Sequence, residues 1–215
     1  MIIRQIPAPA INCSHFIIRQ QGRFESRNKI QYNPNMSKFY TSRGDQGETD
    51  HIGKGRLSKS HIRIRTVGSL DEASAALGFA RAQAANPRIN QLLKTTQKDL
   101  YRIMAIVAQD KPDPGRIPDL EAARISWLEE QIELIGTETD IPKEFILPGE
   151  NISSGAIGLA RTVVRRAERD LVALDEAELL YSDTAISYLN RLSSLCFILE
   201  LFTAQNPPAD PGNPS

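Results

Sequence analysis

Residues 182–204 read SDTAISYLNRLSSLCFILELFTA. A helix laid through them carries Ile186, Leu189, Leu192, Leu195, Phe197, Ile198, Leu199 and Phe202 on nearly every side. A helix that is apolar all round belongs inside a protein, surrounded by other helices. Four upstream segments have the periodicity to surround it. Residues 153–174 line up Ile157, Ala160, Val164, Ala167 and Leu171, and residues 118–135 offer Leu120, Trp127, Leu128 and Ile132 for burial, with Gly136 placed for a C-terminal cap. Residues 86–109 begin with Asn86 as N-cap and Pro87 at the first helical position, then run through Ile89, Leu92, Leu93, Leu100, Ile103 and Val107. The first helix is expected to open at Ser69, whose spacing from Glu72 matches a capping box, and to continue through Leu70, Ala73, Leu77 and Ala80. No strand pattern competes with these. The fold class is therefore all-α, a five-helix bundle, in which ligand sites are built between facing helices or at helix ends.

The 215 residues suffice for one well-buried domain, placed at 37–205. Residues 1–36 lack helical periodicity and carry Arg4, Arg19, Arg23, Arg27 and Lys29 against one acid, Glu25. Such a stretch reads either as an Arg-rich targeting segment or as an upstream start with Met36 opening the functional protein; the second is the simpler expectation, a disordered or non-native extension. Residues 206–215 are too rich in proline and polar side chains to pack, and are expected to form a disordered tail. Lys plus Arg and Asp plus Glu both number 26, so no overall charge steers the chain to nucleic acid or a membrane surface, and any anion site must be local. Cys13 and Cys196 are the only cysteines, which fits a reducing cytosol better than a disulfide framework. His15, His51 and His61 have no metal-ligand spacing, and no apolar run approaches a membrane span.

Chemistry concentrates in three places. Residues 41–60 hold Gly44, Gly47, Gly53 and Gly55 among polar residues, which permits close approach of a ligand to the backbone. This is not a P-loop: the stretch from Gly47 to Gly53-Lys54-Gly55 is one residue too long, and Gly55 stands where Ser or Thr would bind magnesium. The fourth helix contains Arg161, Arg165, Arg166, Glu168 and Arg169. At 100° per residue, Arg161, Arg165 and Glu168 fall within about 60° of one another beside the apolar stripe. That strip reads as a solvated salt-bridge face or as guanidinium forks for a polyphosphate; without interleaved aromatics it fits nucleic acid poorly. Asn190 is a polar residue on the most apolar helix and needs partners if buried. Asp71, expected in the first turn of its helix, serves either as a dipole-stabilised cap or as partner to an arginine such as Arg161.

Taken in order, Tyr40 to Thr49, Ser58-Lys59, Gly68 to Glu72, Phe145 to Gly149, the arginine-rich helix and Tyr188 to Ser193 resemble the signature of the PduO-type ATP:cob(I)alamin adenosyltransferases. The resemblance spans nearly all of 37–205. It implies a homotrimer with active sites between subunits, which transfers the 5′-deoxyadenosyl group of ATP to cob(I)alamin and releases triphosphate. Thr41, Ser42, Arg43, Gly44, Thr49 and Asp50 would line the nucleotide and Lys59 would neutralise phosphate. Arg165, Arg166, Glu168, Arg169 and Asn190, on the neighbouring subunit, would complete the pocket, and Mg2+ would accompany the triphosphate. Asp71 would pair with Arg161 to hold the site's shape, and Phe145 would press on the lower corrin face and displace the axial base. Co(I) is itself a strong nucleophile, so such a protein supplies orientation and electrostatics and no general base. A flavin-dependent reductase and an adenosylcobalamin-dependent enzyme are the implied partners. The chain departs from the family pattern at Glu150, at Gly158 where a histidine is common, at Ser194, and at Ala73-Ser74-Ala75. Most of these fall on the corrinoid side. The rival reading is a paralogue that binds ATP or carries cobalamin without turnover.

Overall fold

The computed structural model describes residues 40–207; the extension over 1–36 and nearly all of the tail lie outside the described residues. Five helices follow a small hairpin: β1 (Glu48–Asp50), β2 (Arg56–Ser58), α1 (Ile62–Gln83), α2 (Pro87–Val107), α3 (Ala123–Gly136), α4 (Ile152–Glu176) and α5 (Ala185–Gln205). α5 packs along α4 and α3, α4 also packs along α1, and α1 along α2. Leu189, Leu192, Leu195 and Leu199 of α5 are fully buried against Val164, Ala167 and Leu171 of α4 and the rest of one continuous core. Full burial of such a side chain is worth about 1.5–3 kcal/mol each, so this layer fixes the relative placement of α4 and α5.

α5 is also long and apolar enough, by length and composition, to cross a membrane. Its apolar residues are consumed by the bundle core, and the same helix carries Asn190, Arg191 and Glu200. It is the central helix expected of its sequence, although the apolar content is higher than the absence of a span-length run implied.

The first helix begins seven residues before the Ser69 start. His61 is its N-cap, with Nδ1 accepting from the Arg63 backbone N–H at 3.2 Å. Ser69 lies inside α1, buried, and its hydroxyl donates to Asp170 of α4. The first two turns were hidden because their core-facing residues are polar. Arg63 donates to the Val107 and Leu179 carbonyls at 2.6 and 2.8 Å, while Thr66 donates to the Ile62 and Asp170 carbonyls at 2.9 and 3.1 Å. Burial pulls the Arg63 pKa below the ordinary arginine value, and these carbonyls offset part of the desolvation.

α3 starts at Ala123, not near 118, because the preceding residues are tied to the turn before α5. Asp119 accepts from Ser182 Oγ at 2.6 Å and from the Asp183 N–H at 3.1 Å, and the Leu120 carbonyl accepts from Thr184 Oγ1 at 2.8 Å. Gly136 is the last residue of α3 and adopts no left-handed φ; the C-cap is Thr137, at φ −67°. The Asn86–Pro87 start holds, with Asn86 Oδ1 accepting from Arg88 N at 2.9 Å. α4 opens with a reciprocal box: Asn151 Oδ1 accepts from Ser154 N at 2.9 Å and Ser154 Oγ accepts from Asn151 N at 3.0 Å. A buried polar knot joins α2, α3 and α5. Asp99 Oδ2 accepts from Arg124 Nε and Nη2 at 3.0 and 2.7 Å and from Tyr188 Oη at 2.8 Å.

Candidate functional site

The glycine-containing loop is folded by its own charges. β1 and β2 pair antiparallel, Glu48 to Ser58 through Asp50 to Arg56, a hairpin too short for any alternation to reveal. Upstream, Asp45 N donates to the Ser42 carbonyl at 3.3 Å, Gly47 N to the Gly44 carbonyl at 3.1 Å and Lys59 N to the Gly47 carbonyl at 2.8 Å. Ser42 sits at φ 53° and Gly47 at φ 78°. A left-handed serine costs on the order of 1–3 kcal/mol, a strain that persists only where surrounding structure over-determines it. Here Arg56 supplies much of that structure. Its Nη2 donates to the Arg43 and Glu48 carbonyls at 2.7 and 2.9 Å, and its Nε lies 3.3 Å from Asp50 Oδ1. Arg43 also reaches Asp50, at 3.4 Å.

These turns lay Lys59 over Gly44: a Cβ added at Gly44 would stand 3.0 Å from the Lys59 ammonium nitrogen. The exposed turn thus presents Thr41, Ser42, the backbone of Gly44 and two cations, Arg43 and Lys59, on one small surface. Thr49 and Asp50 lie in β1, and Asp50 braces the loop through the two arginines. The hairpin is anchored to the end of α2, where Ile52 N donates to the Ala108 carbonyl at 2.9 Å and Asp110 N to the Ile52 carbonyl at 3.1 Å.

The second cationic surface is on α4. Arg165 and Arg169 are exposed, and among the described residues neither makes a side-chain hydrogen bond or ion pair. Arg166 is turned to Glu72 of α1. Glu168 accepts from Asn190 Nδ2 at 3.0 Å, and Asn190 Oδ1 accepts from Arg191 Nη1 at 2.9 Å, itself bound to Glu129 at 2.8 Å. Asn190 is therefore exposed and satisfied, not buried in the core as its helix suggested; it sits on the edge of α5 that meets α4. The chain brings Glu168 and Asn190 together, as expected of one pocket wall.

Asp71 is the tenth residue of α1 and exposed, so it is neither a cap nor in the first turn. Arg161 Nε donates to Glu200 Oε2 at 3.2 Å, an acid of α5 that sequence reasoning passed over, and its guanidinium lies 5.8 Å from the centre of the Phe197 ring. A glutamate in an otherwise apolar run was the available signal. Phe145 lies in the irregular connection between α3 and α4 with 92 % of its surface exposed, while the nearby Ile146 packs against the core. Arg56 and Glu200 are the structural residues of the candidate site that motif reading missed, and Glu72, read as part of a capping box, instead holds Arg166; each acts by holding another group in place, which leaves no spacing signature.

The hydrogen bonds and ion pairs of the loop run within it and to residues 108–110, whereas those of the α4 surface run to α1 and α5. Each surface is cationic, partly uncompensated and suited to phosphate oxygens. Among the described residues no cluster of three His, Cys, Asp or Glu side chains could hold a metal.

Residues 39–203 match the model of the cobalamin adenosyltransferase family. A corrinoid adenosyltransferase of Citrobacter freundii is 34 % identical over 163 residues, which cover 75 % of this chain and 92 % of that protein. One from Bacillus subtilis (strain 168) is 36 % identical over 167 residues, 74 % of this chain and 83 % of its own. Among solved structures, a variant PduO-type ATP:corrinoid adenosyltransferase from Lactobacillus reuteri, complexed with cobalamin and ATP, superposes with a TM-score of 0.72 at 28 % identity and covers 77 % of this chain and 93 % of that one. With a helical bundle of the same shape, two phosphate-suited surfaces and a match that runs through all five helices, the chain belongs to the cobalamin adenosyltransferase family.

Proposed function

We propose that this protein transfers the 5′-deoxyadenosyl group of ATP to the cobalt of cob(I)alamin, giving adenosylcobalamin and triphosphate. The observation that carries the reading is the Lys59 ammonium lying against the Gly44 turn, 3.0 Å from where a side chain would begin. The glycine there leaves the backbone and the cation together on one open surface, where phosphate oxygens meet both. Thr41, Ser42, Arg43 and Thr49 line the nucleotide beside it, with Asp50 holding Arg43 in place.

Arg165 and Arg169, with Arg166, Glu168 and Asn190, form the complementary wall. The loop is anchored at the end of α2 and this wall lies along α4 against α1 and α5, which supports a pocket completed by a second subunit in a homotrimer. Magnesium enters with the triphosphate, and no residue of the chain is assigned to it. Asp71 and Arg161 shape the corrinoid side, and the projecting Phe145 meets the lower corrin face. Co(I) then attacks the ribose 5′ carbon in line, the bond from that carbon to the triphosphate oxygen breaks, and Lys59, Arg165 and Arg169 stabilise the charge gathering on the leaving triphosphate. No proton has to move. A reducing cytosol, a reductase for the cobalt and an acceptor enzyme for the product complete the setting.

The test is to mix the purified protein with Mg-ATP and chemically reduced cob(I)alamin under anaerobic conditions, following the Co(I) absorption and inorganic triphosphate. Turnover to a light-sensitive alkylcobalamin with one triphosphate per cobalt supports the reading. ATP binding without turnover overturns it in favour of a nucleotide-binding paralogue.

A further inference from the structure

Glu200 is the one acidic residue in α5, and its side chain is only 5 % exposed. A carboxylate so placed has to be accommodated and paired, and both conditions are met by α4. The room comes from Gly158: a Cβ there would stand 2.6 Å from Glu200 Oε1, 2.9 Å from Cδ and 3.2 Å from Oε2. The pair comes from Arg161, one turn along, whose Nε lies 3.2 Å from Oε2. The guanidinium is held from a second side by Phe197 of α5. Gly158 is buried within a helix and takes no left-handed φ, so its small size, not its backbone freedom, is what the site uses.

We infer that Glu200 is a positioning residue for Arg161 and that the absence of a side chain at 158 is what admits its carboxylate, so that Gly158, Arg161, Phe197 and Glu200 form one unit setting the corrinoid side of the site. The inference rests on the proposed adenosyl transfer, in which Arg161 shapes that side. A guanidinium has five N–H donors. Glu200 takes the one on Nε, and fixes the plane in which the other four are presented, toward Asp71 or toward the amide-fringed corrin. Arg161 itself is 26 % exposed on its side chain, enough to swing into solvent once Glu200 lets go. Arg165, one further turn along α4, faces the triphosphate and does not share this carboxylate; the unit therefore acts on the corrinoid and not on the nucleotide.

Two substitutions disturb the contact in opposite ways. Glu200→Gln removes the charge and keeps the shape. Gly158→Ala keeps every charge and pushes the carboxylate away from its place. In the full-length protein each is expected to lower kcat/KM for cob(I)alamin at least tenfold while leaving KM for ATP within twofold. Gly158→Ala added to Glu200→Ala is expected to have no further effect, because the atoms it strikes are gone; this non-additivity separates a shared contact from general damage. Effects within twofold in protein of unchanged thermal midpoint, equal losses toward both substrates, or additive losses would each overturn the inference. A reading independent of turnover is the Arg161 Nε–H resonance, identified by its disappearance in Arg161→Lys. Slow solvent exchange in the parent protein and fast exchange in Gly158→Ala support the positioning role even if no adenosyl transfer occurs, in which case only the proposed reaction fails; equal exchange in both overturns the role.

Discussion

Gly44→Ala is a perturbation that alters no charge and should still weaken nucleotide binding. The new methyl would stand 3.0 Å from Lys59 Nζ and 3.4 Å from its Cε, with the Glu48 carbonyl at 3.6 Å. Gly44 is not among the left-handed glycines, so alanine is not strained in its backbone, and the lysine, being the far end of a flexible chain, is what yields. Restoring ordinary contact moves the ammonium by about 0.4 Å; at an effective dielectric constant of about 20, going from about 4 to about 4.4 Å weakens attraction to a unit charge by about 0.4 kcal/mol. A phosphate carrying about two charges doubles this to about 0.8 kcal/mol, so KM for ATP should rise between about two- and fourfold. Urea unfolding should shift by less than about 0.5 kcal/mol, since the site is at the surface. The assay is initial-rate kinetics at saturating cob(I)alamin, with Lys59→Met as the reference for complete loss of the charge. An unchanged KM for ATP in Gly44→Ala, where Lys59→Met raises it, would show that the ammonium reaches phosphate from elsewhere and would refute the glycine-turn geometry.

Four further outcomes follow from the same structure. Arg165→Ala should leave stability within about 0.5 kcal/mol, and raise KM for ATP about ten- to a hundredfold, the worth of a lost charge-assisted hydrogen bond at about 1.5–3 kcal/mol; titrating ATP calorimetrically into both proteins checks this. Phe145→Ala should unfold at the same urea concentration as the parent, because its ring is almost wholly exposed in the free subunit, yet reduce kcat with cobalamin more than tenfold. Tyr188→Phe should cost about 1 kcal/mol in urea unfolding with kinetics unchanged, since Asp99 keeps both bonds from Arg124. Burial pushes the Cys196 thiol from 9.0 up to about 12, with Arg161 opposing and Glu200 adding to the shift. The folded pKa exceeds the unfolded one, so the contribution of the neutral thiol to stability is complete below about pH 9 and is lost between about pH 9 and 12; in a Cys13→Ser background the native protein should consume no Ellman's reagent until unfolded.

The helices were legible wherever their buried faces are apolar and their starts are capped by local side chains. α2 and α4 announce themselves in this way, through Asn86-Pro87 and through the stripe from Ile157 to Leu171. α1 did not, because its first two turns bury Arg63 and Thr66, whose partners Val107, Asp170 and Leu179 are distant in sequence. A buried polar residue satisfied by remote carbonyls is indistinguishable in sequence from a solvated one, so the sequence pattern shortens the helix and sets Asp71 in its first turn, whereas it is the tenth residue. The three-residue strands of the loop escaped for a different reason: they are held by the Arg56 side chain rather than by hydrophobic alternation.

The same distinction separates what motif reading found in the site from what it missed. The residues proposed to face a ligand, such as Arg165, Lys59 and Gly44, belong to short stretches that can be read in order along the chain. Residues that hold those groups can be supplied from any element that passes nearby, and here Glu200 reaches α4 only because Gly158 lacks a Cβ. A side chain at 158 and the present placement of the glutamate at 200 collide, so neither position can be judged alone. Glycine at 158, where the family commonly has a histidine, is therefore what lets the Glu200 carboxylate reach Arg161, and the two positions act as one contact.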